Sequence, residues 1–428
     1  MPHTKHTQDA CNGLASSRNK RHPRSLHGVG IGANDVANSM ADAVGSRSIS
    51  IKKAVIAAAV CEFAGAVLVG AHVTDTIRKG IVSPEAMAGD VQASALGMCC
   101  ALFAAALWLH LASWWGMPVS TTHSIVGAVA GVGIVAAGWH AINMGKMGQI
   151  IASWFISPVA GAIMAYFMFR LMVWLILGSQ TPVRSAIRFA PFVTFLVGLI
   201  MALATLYKGL KHVLGEWTWV SDHGIELSVA VGVLSALGTR WYLKTRLAND
   251  FDKPLPTQLD RVERMLAPIV VITSCCVAFS HGANDVANAV GPLAAVVDIV
   301  KHGEVKAKVE VPFWILCLGG TGIVIGLATY GYRVMETVGS RITVLTPSRG
   351  IAADVSATTV VLICSRMGIP VSTTHTLVGA VLGVGFARGL SAVNRKVTAN
   401  IFGGWLITVP AAGGLAIVLF VVGRALFL

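Results

Sequence analysis

The sequence predicts an all-α, polytopic membrane protein whose two halves descend from one duplicated unit. Three observations carry this: an apolar, charge-poor composition, a succession of apolar runs of membrane-spanning length, and two polar motifs that each occur twice in the same order. Apolar residues make up 55% of the 428 positions and charged residues 12%, about half the charged fraction of a soluble domain. The charges are unbalanced, with 33 Lys and Arg against 20 Asp and Glu. In a polytopic chain such an excess belongs in cytoplasmic loops beside anionic lipid rather than on nucleic acid. Cysteines 11, 61, 99, 100, 275, 276, 317 and 364 show no CxxC or Cys/His ligand spacing. They read as small buried packing residues, so neither a disulfide framework nor a protein-bound metal or cofactor is expected.

A spanning helix needs about 20 mostly apolar residues. Runs of that kind occupy 51–73, 93–115, 118–138, 148–178, 189–210, 226–243, 312–335, 352–369, 370–388 and 398–424. Two further stretches, 28–46 and 265–297, are apolar but interrupted by Gly, Asn and Asp, which makes about ten to twelve membrane-embedded segments. Residues 1–27 are polar, with Lys5, Arg18, Lys20, Arg21 and Arg24 and no apolar centre, and do not read as a signal peptide. The chain then divides into a first repeat at 28–178, scaffold helices with a basic linker at 179–262, and a second repeat at 263–428. Lys244, Arg246, Lys253, Arg261 and Arg264 give the linker the basic density that marks a cytoplasmic segment.

The repeat is visible in the motifs. Gly32-Ala33-Asn34-Asp35-Val36-Ala37-Asn38 recurs identically 250 positions later as Gly282 to Asn288. Pro118-Val119-Ser120-Thr121-Thr122-His123 recurs 252 positions later as Pro370 to His375, and Trp154 is echoed by Trp405. Duplication of a half-molecule keeps order and spacing in this way, and places a site where the interrupted helices of the halves meet.

An ionised Asp in an apolar segment costs several kcal/mol unless something compensates it. Asn34, Asp35 and Asn38, like Asn284, Asp285 and Asn288, would gather on neighbouring faces of a helix beginning at Gly32 or Gly282. Oxygen ligands of this kind, with carbonyls freed by a broken helix, suit a hard cation such as Na⁺. Trp115 to Val126 leaves no room for a hydrated loop, so a re-entrant hairpin is predicted there. Ser120, Thr121 and Thr122, and likewise Ser372, Thr373 and Thr374, would then stand at the N-terminus of its second helix, where hydroxyls, unpaired N–H groups and the helix dipole favour an oxyanion. His123 and His375 follow directly, placed to contact that anion or carry a proton. No Lys or Arg lies within 28–46, 113–138, 265–300 or 369–387, so cotransported cations would have to supply the positive charge. The pattern predicts cation-coupled anion uptake.

The paired GANDVAN and PVSTTH motifs resemble the PiT-type inorganic phosphate transporters from about Gly28 to the C-terminus. The resemblance implies two inverted repeats, each with a broken first helix and a re-entrant hairpin, in a multi-pass protein of the cell inner (plasma) membrane. It implies symport of phosphate with H⁺ or Na⁺, in some members as a neutral divalent metal–phosphate complex. By the same resemblance Asn34, Asp35, Asn38, Asn284, Asp285 and Asn288 are cation and phosphate ligands, the six hydroxyl residues cradle phosphate, and a homodimer is the expected assembly. One departure stands out: the second GANDVAN follows the apolar Met265–Ser280, whereas the first follows the polar His22–His27. Residues 1–27 are therefore expected not to be the native start.

Three other functions compete. A sulfate permease of the same family would lack the proton that monohydrogen phosphate can donate to Asp35 or Asp285. A membrane enzyme acting on a phosphorylated substrate would need a motif such as GxxxxGK or HExxH, and the sequence contains neither. A nutrient sensor would need a signalling domain beyond the apolar segments.

Overall fold

A chain that crosses lipid must satisfy its backbone within each segment, by helices or a closed barrel. This chain is helical. The computed structural model describes residues 34, 38–70, 81–82, 90–206, 222–302, 304–305, 309, 311–366 and 371–428. Among them run α1 (Ala41–Gly45), α2 (Ile51–Val69), α3 (Val91–Trp114), α4 (Thr121–Ala137), α5 (Met144–Met172), α6 (Pro182–Ala204), α7 (Gly224–Arg246), α8 (Leu255–His302), α9 (Phe313–Glu336), α10 (Pro347–Arg366), α11 (Thr373–Ala387) and α12 (Arg395–Phe427). Each uninterrupted apolar run of the sequence corresponds to one of these helices. The polar N-terminus, Gly32 and Asp35 lie outside the described residues.

Among the described residues five helices are long and apolar enough to cross a membrane, namely α3, α5 with its continuation to Leu177, α6, α8 and α12; a sixth candidate is the pair Phe313–Thr329 and Gly331–Arg341, bent by 66°. Helices α4 and α11 have 17 and 15 residues. At 1.5 Å per residue they reach about 25 Å, short of a ~30 Å hydrocarbon core. Each packs on the helix before it, α4 on α3 and α11 on α10, so each pair forms a helical hairpin, with Ser120 and Ser372 capping its short second helix.

The expected break at Gly282 is absent. Leu255–His302 is a single helix of 48 residues that runs straight through the motif, so no freed carbonyls exist at that point. Gly282 does not adopt a positive φ. Its role is packing: a Cβ there would overlap the Glu62 carbonyl on α2. A mid-helix glycine costs only about 1 kcal/mol against alanine, and the close approach of α2 and α8 requires it.

The halves interlock by exchanging helices. Helix α4 packs on α12, and α11 packs on α5. In each case a glycine pair of the hairpin allows the contact. A methyl at Gly127 or Gly131 would strike the Val409 or Gly413 carbonyl, and one at Gly379 or Gly383 the Pro158 or Ala162 carbonyl. The strand-like connections match as well: Asn143 N–H donates to Ile81 O at 3.0 Å and Asn394 N–H to Ile342 O at 2.9 Å. Asn143 and Asn394 then cap α5 and α12.

Outward faces are apolar. On α5 Phe155, Ile156, Val159, Ile163, Phe167 and Trp174 are exposed, and α12 exposes a similar row including Leu406, Ile407 and Val418. Faces of this extent belong against lipid. The cysteines depart from expectation: Cys99 is exposed and the other described ones are half-buried, because a thiol is apolar enough to face lipid tails. In the linker, Asp250 has a buried side chain joined to Lys253 and, at 2.9 Å, to Arg261. The Lys253 ammonium, then the Arg261 guanidinium, hold its carboxyl below the usual carboxylate range.

Candidate functional site

Two hydroxyl cradles are built alike. Ser120 has extended backbone and its Oγ accepts from His123 N–H at 3.2 Å; Ser372 accepts from His375 N–H at the same distance. Thr121 and Thr122, with Thr373 and Thr374, occupy the first turns of α4 and α11, and all six residues are buried. Capping spends one serine oxygen on each helix and leaves the threonine hydroxyls directed at α8 and at the segment around Asn38.

The amides cross between halves. Asn288 Nδ2, in the second half, donates to Thr121 Oγ1 at 2.9 Å and Thr122 Oγ1 at 3.2 Å in the first. Asn38 Nδ2, in the first half, donates to Thr374 Oγ1 at 3.1 Å in the second. Among the described residues, Asn34 and Asn284 bond to the hairpin turns of their own halves. Asn34 Nδ2 donates to Met117 O at 2.9 Å and its Oδ1 accepts from Val119 N–H at 2.9 Å, while Asn284 Nδ2 reaches Val371 O at 3.5 Å. These two amides therefore hold the hairpin turns. Asp285 binds its own cradle: Thr373 Oγ1 donates to Oδ2 at 2.6 Å, and Asn284 and Asn288 donate to Oδ1 at 3.0 and 3.3 Å.

This bonding leaves specific atoms over. Asn38 Oδ1 and Asn288 Oδ1 are buried acceptors with no hydrogen-bond partner, and they are equivalent by the repeat. Amide oxygens beside a carboxylate, in an environment without Lys or Arg, are hard ligands suited to Na⁺. The threonine hydroxyls and the N-termini of α4 and α11 are donors suited to an oxyanion. The donors are thus of a kind that suits an anion, and the acceptors of a kind that suits its compensating cations.

The histidines point elsewhere. The His123 and His375 rings meet each other with centroids 4.3 Å apart, and each lies on a tryptophan, Trp154 at 3.8 Å and Trp405 at 3.6 Å. Neither ring bonds a cradle hydroxyl among the described residues.

Sequence reasoning passed over three buried carboxylates. Asp354 Oδ2 accepts from Thr273 Oγ1 and Ser274 Oγ, both at 2.7 Å. Asp42 stands against it, and among the described residues neither of its oxygens meets an N–H or hydroxyl donor. Glu62 is buried on α2 beside Gly282. A carboxylate inside an apolar span is a functional candidate by default, and that signal alone could have found them. They escaped notice because the repeat places Pro292 and Leu102, not carboxylates, opposite Asp42 and Asp354.

A sequence profile described as the phosphate transporter family matches residues 31–416. The chain belongs to the phosphate transporter family. Both motif pairs fall inside the matched region. The similarity runs along most of this chain: a protein of Pyrococcus abyssi described as a candidate phosphate permease is 46% identical over 390 residues, 91% of this chain and 93% of that one. The chloroplastic inorganic phosphate transporter 2-1 of Arabidopsis thaliana is 37% identical over 91% of this chain and 69% of its own length. Among solved structures, one titled "The sodium-dependent phosphate transporter" matches with a TM-score of 0.84 at 42% identity, covering 93% of this chain and 96% of that one. This member of the phosphate transporter family thus shares the fold along nearly its whole length.

Proposed function

We propose that the protein imports inorganic phosphate across the plasma membrane by symport with Na⁺. The single observation that carries this reading is the crossed site: two helix N-termini rich in hydroxyls, joined through Asn38 and Asn288 to the opposite half, with Asp285 inside it and no fixed cation in its motif windows. Phosphate takes the threonine hydroxyls of both cradles. Na⁺ takes the amide oxygens of Asn38 and Asn288 with the carboxylate of Asp285, and Asp35 provides the matching carboxylate in the first half. Without bound cations the anion would face two carboxylates, so neither ion binds well alone and transport is coupled.

The two halves, 28–178 and 263–428, act as inverted repeats around a scaffold that includes 179–262. In this reading the two hairpins enter the membrane from opposite faces. The basic linker between α7 and α8 sets the cytoplasmic side. Phosphate rather than sulfate is the substrate because monohydrogen phosphate can donate its proton to Asp285. Proteoliposomes given phosphate under separate Na⁺ and pH gradients test the whole reading: uptake driven by Na⁺ and blocked by excess phosphate but not sulfate is expected. Uptake indifferent to Na⁺, or sulfate transported equally well, would refute it.

A further inference from the structure

His123 and His375 end the two cradle motifs, yet their rings turn away from the cradles and toward each other. They are 2% and 1% exposed and meet edge-to-face at 77°. Trp154 backs the first at a tilt of 38° and Trp405 stacks on the second at 20°. The four rings form a column, Trp154–His123–His375–Trp405, whose outer and inner members are exchanged by the repeat, so its centre lies on the axis relating the halves.

Two contacts stitch the column across the halves. Trp405 Nε1 donates to Pro118 O at 2.9 Å, and His375 Nδ1 lies 3.4 Å from Trp154 O. Hydrogen bonding does not hold the centre together: His123 Nδ1 and Nε2 and His375 Nε2 are buried without a partner. The contact between His123 and His375 is ring against ring, in the edge-to-face arrangement that aromatic pairs prefer at about 4.5–7 Å, and at 4.3 Å it is a close one. Each histidine also donates its backbone N–H to the serine that begins its cradle. The ring contact is thereby linked to Ser120 and Ser372 through one backbone hydrogen bond on each side.

We infer that His123 and His375 are positioning residues, which set the separation of the two hydroxyl cradles through their ring contact and so set the affinity for phosphate. The inference rests on the phosphate-symport reading. Ring shape is the property required, and the imidazole nitrogens are not.

The test compares His123→Gln and His375→Gln, which keep polarity and lose the ring, with His123→Phe and His375→Phe, which do the reverse. Initial phosphate uptake is measured in proteoliposomes with a Na⁺ gradient at matched amounts of folded protein. The Gln variants should raise KM for phosphate about three- to tenfold with little change in maximal rate, since displaced groups bind less well before they turn over less. The Phe variants should keep the wild-type KM. The double Gln variant should be no worse than either single one, because both remove the same contact. Trp154→Leu and Trp405→Leu withdraw the outer rings and should raise KM in the same way should the Gln variants fold poorly. Trp108→Phe, which deletes a 3.2 Å bond to Thr408, controls for general destabilisation and should leave KM unchanged. Gln variants with wild-type KM, Phe variants as impaired as Gln, or effects that multiply in the double variant would each overturn the inference. Wild-type protein that takes up no phosphate would instead refute the functional reading beneath it.

Discussion

Asp285 accepts three hydrogen bonds within its own half and is 2% exposed. Replacing it by Asn removes a charge while preserving volume, so Asp285→Asn is expected to abolish Na⁺-driven phosphate uptake with normal membrane insertion, read by radiolabelled uptake beside surface quantitation. Thr373 and Thr374 divide their work: the first donates to Asp285, the second accepts from Asn38. The double Thr→Val change keeps shape and leaves buried partners unsatisfied. Phosphate affinity should fall by about 1–3 kcal/mol per partner, measured as a shift in half-saturation. The individual ligand candidates were legible in the sequence because duplication preserved Asn, Asp, Ser and Thr together. Their partners were not, since nothing in the order of residues tells that Asn38 meets Thr374 rather than its own Thr122.

Elements carry a second kind of constraint. The hairpin helices α4 and α11 are useful only if they pack tightly, and Gly127 and Gly379 admit a carbonyl of the opposite half where any side chain would collide. Gly127→Val is expected to destabilise the protein by about 1–3 kcal/mol through overpacking, seen as a lower Tm, with Gly414→Val, which meets nothing within 4 Å, as the neutral control. The short second helices of the hairpins were readable from spacing, because the apolar runs 93–115 and 118–138 leave two residues between them, too few for a hydrated loop. The continuity of α8 was not readable. Gly282, Asn284 and Asp285 look like helix breakers by composition, but tertiary contact with α2 overrides a propensity difference of only about 1 kcal/mol. The linker gives a pH test at the same scale. Lys253 and Arg261 lower the Asp250 pKa in the folded state, so the stabilisation is present above the unfolded carboxylate pKa near 3.9 and is lost as pH falls through the folded value. Asp250→Asn should lower Tm by roughly 1–3 °C at pH 7, and the difference from wild type should vanish on acidification below that range.

For the whole molecule, everything turns on orientation. We propose that the two copies of the half-molecule enter the membrane from opposite sides, a reading that the crossed amides and exchanged helices support. A parallel duplication would put both hairpins on one side. The turn after α4, at Trp139–Ala141, and the turn after α11, at Leu390–Ala392, are equivalent in the repeat, and Trp139 and Leu390 are each 66% exposed. In a background freed of native cysteines, a cysteine placed at His140 should react with a membrane-impermeant thiol reagent added outside. A cysteine at Leu390 should react only from the cytoplasmic side, where the basic linker lies. Labelling of both from one side would show that the halves are parallel. The inverted arrangement of 28–178 and 263–428 would then be wrong, and the cytoplasmic linker could not separate the two hairpin turns.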